Sequence, residues 1–182
     1  MIAVSADARM GVIGVGGGVP SATCGSIQIS DTTSSSAITG NDASNEYLMG
    51  TFTAASTSTI KTLYLYLNDV GMPIGYSVDV AICTTSSGLP TETCTNFDSG
   101  ISGALTGTYA RYKFNISAGY AISSGTVYAI RLHANQTDVA NYYNWAYNAS
   151  GSMFLKKSDS SFTWVNGDAT ADVAFEITSC FE

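Results

Sequence analysis

Five stretches of the chain alternate apolar and polar residues with a period of two. "TIKTLYLYLN" sets Leu63, Leu65 and Leu67 on one face and Tyr64 and Tyr66 on the other, and "YSVDVAIC" sets Val78, Val80 and Ile82 against Ser77 and Asp79. "TYARYKFN" opposes Ala110, Tyr112 and Phe114 to Arg111 and Lys113, and "GTVYAIRLHA" opposes Tyr128, Ile130 and Leu132 to Arg131 and His133. The closing "ADVAFEIT" turns Val173, Phe175 and Ile177 inward. This is the period of a strand with one buried face. "LMGTFTA", "YNWAY", "SMFLKK" and "SFTWV" are shorter strand-like runs, and "SSGLPTETC" reads as loop by its Gly and Pro. About eight or nine short strands, with no helical window between them, predict a two-sheet antiparallel sandwich.

Residues 1–45 break the pattern. They are rich in Gly, Ser, Thr and Ala, and "GVIGVGGGV" interleaves Val12, Ile13, Val15 and Val19 with residues that lack side chains. Such a segment has much conformational entropy to lose and little apolar surface to offset it. "SIQIS" alternates and predicts one short strand carrying Ile27 and Ile29. As an export signal the opening is poor: Asp7 stands where a basic region belongs, Arg9 is the only positive charge, and five glycines between Gly11 and Gly18 interrupt the apolar run. The expected organisation is an extended N-terminal docking arm over 1–45 and a β-sandwich domain over 46–182. Val12, Ile13, Val15, Val19, Ile27 and Ile29 would let the arm lie against another backbone or add to a neighbour's sheet.

Charge narrows the partners. The net charge of −7 and a pI near 4.4 would repel a phosphate backbone, and the few Lys and Arg residues form no stripe, so nucleic acid is not an expected partner. No apolar run approaches the roughly 20 residues of a membrane-spanning helix. Only 12% of residues are charged, while Ser, Thr, Gly, Asn and Tyr abound, a surface chemistry typical of extracellular and virion β-proteins. Four cysteines, Cys24, Cys83, Cys94 and Cys180, include no CxxC pair. They read either as buried thiols or as disulfides; Cys83 with Cys94 and Cys24 with Cys180 is one of three connectivities, and oxidation would imply life outside a reducing compartment.

Candidate chemistry is sparse. The single histidine, His133, falls on the outer face of its strand, and no GxSxG elbow or phosphate-binding glycine loop is present. Asp79, Glu92, Asp98, Asp168 and Glu176 read as solvated charges, since nothing in the sequence pairs any two of them as glycosidase carboxylates would be paired. No enzyme is expected and no cofactor is required. Calcium is the one ion the loops could take, through Asn41, Asp42 and Asp168, although turn formation explains the same letters. Tyr143, Trp145, Tyr147 and Trp164, with Tyr64 and Tyr66, are the aromatic candidates for contact with a glycan or a neighbouring subunit; core packing is the alternative. Asn115, Asn135 and Asn148 open N-glycosylation triplets that matter only if the exporting cell glycosylates.

The order of elements from "GTFTAASTSTIKTLYLYL" through "GYSVDVAICTTSSGLPTETC" and "YARYKFNISAGYAISSGTVYAIRL" to "YYNWAYNASG", "DSSFTWV" and "DVAFEI" resembles a jelly-roll module. That module occurs in surface-anchored proteins, beside carbohydrate-binding modules, and in tail, fibre and decoration proteins of bacterial viruses. The resemblance spans Glu46 to Thr178 and rests on a hydrophobic template with Gly-Leu-Pro and Gly-Thr-Val-Tyr landmarks, not on catalytic residues. It implies a structural protein on a virion surface or elsewhere outside the cell, with copies of itself, other virion or filament proteins, or a cell-surface glycan as partners. A filament subunit that donates a strand and a secreted carbohydrate-binding module are the alternatives.

Overall fold

The computed structural model describes residues 26–29, 36–40, 47–71, 77–98, 101–102, 105–134, 140–158 and 164–180. Every regular element among them is a strand: β1 (Ser26–Ile29), β2 (Ser36–Gly40), β3 (Tyr47–Thr53), β4 (Ser58–Val70), β5 (Ser77–Ser86), β6 (Leu89–Asn96), β7 (Ile101–Ser102), β8 (Ala110–Ile122), β9 (Val127–Ala134), β10 (Tyr142–Ser158), β11 (Trp164–Val173) and β12 (Phe175–Thr178). All pairs are antiparallel. One sheet centres on β4, which pairs with β8 on one side and with β12, then β1, on the other. The second runs β10, β3, β9, β5, with β6 and β7 beyond.

The two sheets are joined through β10. Its first residues, Tyr142 to Trp145, pair with β4 of the first sheet, and Leu155 to Ser158 pair with β3 of the second, so one 17-residue strand turns the corner between them. β2 pairs with the first part of β10 and β11 with the rest. "YNWAY" and "SMFLKK", expected as two strands, are one.

The alternating positions fill the space between the sheets. Leu63, Leu65, Leu67, Phe114, Phe175 and Ile177 face Leu48, Phe52, Val78, Val80, Ile130 and Leu132, all of them buried. Phe52 and Phe175 meet across the layers at 5.3 Å between ring centroids. Burying such side chains contributes about 1.5–3 kcal/mol each, the main drive for this fold. Gly50 sits where no side chain fits: a Cβ there would stand 2.4 Å from Cγ2 of Val173.

Two expectations change. "SSGLPTETC" is not a loop but most of β6, because Ser87 (φ 52°) and Gly88 (φ 77°) close a two-residue hairpin turn and put Ser86 opposite Leu89. Pro90 is tolerated because β6 lies at the sheet's edge, where a missing N–H breaks no ladder. Within 1–45, β1 and β2 pair with this chain's own β12 and β10, so Ile27 and Ile29 belong to a strand of the sandwich. Val12, Ile13, Val15 and Val19 lie outside the described residues. No helix among the described residues is long and apolar enough to cross a membrane.

A polar cleft on the outer face of the second sheet

The register of β3, β9 and β5 places Tyr47 beside His133 and His133 beside Asp79 in one row across the outer face. The next row carries Met49, Arg131, Ala81 and Asn96, and the third Thr51, Ala129, Cys83 and Cys94. Tyr47, Asp79, Asn96, Phe97, Asp98, Arg131 and His133 surround a cleft of about 320 Å³, floored by Ala81.

The Tyr47 and His133 rings are stacked, with centroids 4.5 Å apart and planes 22° from parallel. His133 Nδ1 lies 3.8 Å from the Asp79 carboxylate. The Arg131 guanidinium is 5.5 Å from the Tyr47 ring centroid, and its half-burial lowers its pKa against the opposing influence of Tyr47. Asp98 is held from the other sheet: its N–H donates to the Asn115 carbonyl at 2.8 Å, and its carboxylate accepts hydrogen bonds from the Ser117 N–H and hydroxyl. The preceding Phe97 N–H donates to the Val80 carbonyl at 2.9 Å, so the segment leaving β6 bridges both sheets at the rim of the cleft.

In the third of these rows Cys83 and Cys94 form a disulfide across the β5–β6 pair, one of the pairings the sequence offered. Cys180 is disulfide-bonded as well, and Cys24 lies outside the described residues. The Cys180 carbonyl accepts hydrogen bonds from Thr178 Oγ1 at 3.0 Å and Thr62 Oγ1 at 2.9 Å, fastening the C-terminal residues to the outer face of the first sheet.

The aromatic candidates do not form one platform. Tyr143 and Trp145 are fully buried core residues; their polar atoms donate to the carbonyls of Leu132 (3.4 Å) and Ala174 (3.0 Å). As contacts for a glycan or subunit they are corrected to structural roles, because at the corner both faces of β10 are covered. Tyr64 is only 5% exposed: Arg111 lies 3.4 Å above its ring and bonds Glu176 at 2.6 Å. Its cover is therefore this chain's own β8 and β12. Tyr66 and Trp164 are half-buried, and Tyr147 packs against the core.

His133, expected in solvent, is instead half-buried against Tyr47. Among the described residues no group of three His, Cys, Asp or Glu is arranged for a metal ion. Asn41 and Asp42 lie outside those residues; Asp168 pairs with Leu155 in the ladder, and its side chain is outside them too. Asn115 Oδ1 accepts from Thr62 Oγ1 at 3.0 Å, Asn135 is outside the described residues, and Asn148 pairs with Asp172 in the ladder.

Neither the protein-family models nor the curated proteins include a match to this chain. Sequence reasoning missed the cleft because Tyr47, Asp79 and His133 come from different strands and Asp98 from the segment after β6, and only the outward assignment of Asp79, Arg131 and His133 pointed toward it.

Proposed function

We propose that this chain is a non-enzymatic structural protein of an extracellular assembly, a virion decoration, fibre or tail-associated subunit, in which the sandwich is the outward body and the N-terminal residues make the attachment. The observation that carries the reading is the Cys83–Cys94 disulfide, which joins β5 to β6 in an all-β sandwich. A cross-strand disulfide suits a protein that works in an oxidising environment and must keep its shape there. The likeness of residues 46–178 to the jelly-roll module of tailed-virus and surface proteins supports the same assignment, as does the low density of charge. A filament subunit that completes its neighbour's sheet is the closest variant.

The test is electron microscopy of the native source material, together with incorporation of the full chain and of a chain lacking residues 1–20. That truncation keeps Cys24 and every strand among the described residues. Particles or filaments that take up the full chain and reject the shortened one are expected; helical order would select the filament variant. A monomer indifferent to the truncation overturns the assembly role, and turnover of an oligosaccharide by the pure protein overturns its non-enzymatic part.

A further inference from the structure

The cleft on the second sheet has a chemistry of its own. Its polar groups are the acceptor-only carboxylates of Asp79 and Asp98, the donor-only guanidinium of Arg131, and the Asn96 amide, His133 imidazole and Tyr47 hydroxyl, which can do both. A ligand that meets this lining both donates and accepts hydrogen bonds at adjacent atoms, as the neighbouring hydroxyls of a sugar do. Two carboxylates against one guanidinium disfavour an anion, and among the described residues there is no three-ligand cluster for a cation. The stacked Tyr47–His133 pair supplies an aromatic wall for the C–H face of a pyranose. At about 320 Å³ the space lies at the small end of the range for ligand sites, enough for one ring.

Position is fixed as well as chemistry. Tyr47, His133 and Asp79 stand on adjacent hydrogen-bonded strands, and Asp98 is held by Ser117 of the other sheet. Groups mounted on strands and braced by a second layer need little reordering when a ligand arrives. We propose that this cleft binds one neutral pyranose residue, with Asp79 and Asn96 taking a pair of neighbouring hydroxyls and the Tyr47–His133 wall lying against the ring. This inference is independent of the assembly role, since a monomer would bind equally well.

The experiment is saturation-transfer NMR on the full chain with D-glucose, D-galactose and D-mannose, and with D-glucuronate as the charged control. At least one neutral hexose is expected to receive saturation, with weaker transfer to glucuronate. Asp79→Ala and Asn96→Ala, both at exposed positions, should each weaken that binding about tenfold, the usual scale for a lost polar contact to a ligand. An unchanged melting temperature in the same variants separates lost binding from lost fold. No transfer to any neutral hexose, stronger transfer to glucuronate, or binding that survives both substitutions would each overturn the proposal.

Discussion

On the outer face of the first sheet Arg111 lies 3.4 Å above the Tyr64 ring and 2.6 Å from Glu176; on the second, Arg131 stands 5.5 Å from the Tyr47 ring, with Asp79, Asp98 and His133 spread around a cleft. The same kinds of side chain thus form a compact stack in one place and line a cleft in the other. The two arginines register the difference. Burial works to lower the Arg111 pKa, but its hydrogen bond to Glu176 and the charge of that residue outweigh it, and the net shift is upward. For Arg131 burial dominates and the shift is downward. A raised arginine contributes stability that is fully present below its unfolded value and lost only as pH rises through the folded one, far above neutrality. A lowered one costs stability wherever it is charged, neutral pH included. The Arg111 charge is therefore favoured by its ion pair, whereas burial works against the charge of Arg131 in the cleft.

Four variants would sharpen or break that contrast. The largest effect belongs to the foundation of the open face: Cys83→Ala with Cys94→Ala should cost about 2–4 kcal/mol, read as a fall of roughly 5–15 °C in Tm by calorimetry. Gly50→Ala follows, because the added methyl collides with buried Val173 in the strand that carries Tyr47; about 1–3 kcal/mol should be lost in denaturant titration. Arg111→Met removes a partly exposed ion pair and its contact over Tyr64, with an expected loss of about 1 kcal/mol that is the same at pH 7 and pH 10, since the raised arginine stays charged at both. Arg131→Met keeps the aliphatic stem and removes a charge that burial disfavours; its cost should be the smallest, about 0.5 kcal/mol or less. If Arg131→Met proved as damaging as Arg111→Met, the second cluster would be as structural as the first.

Much of the fold was legible in the alternation alone. Leu63, Leu65 and Leu67, and Val78, Val80 and Ile82, are buried as their spacing predicts, because each lies on a strand with one face toward the other sheet. The alternation fails where a strand is covered on both sides. Tyr143, Asn144, Trp145 and Ala146 are four consecutive buried residues, and no period of two can say which of them meet solvent. β6 was hidden by chemistry of another kind: its hairpin turn uses Ser87 at positive φ, a conformation more often announced by Asn or Gly. The cleft needed tertiary information, since Asp98 reaches it only through bonds to Asn115 and Ser117 of the opposite sheet. The cover over Tyr64 likewise joins Arg111 and Glu176, separated by 65 positions.

A strand that belongs to both layers has a mechanical meaning. Two sheets held only by apolar contacts can shear past each other, because such contacts have little directional preference. Here any such slip must bend β10 itself, whose ends are hydrogen-bonded to β4 in one layer and β3 in the other. Load applied to either layer therefore passes along a continuous covalent backbone as well as across the packed core.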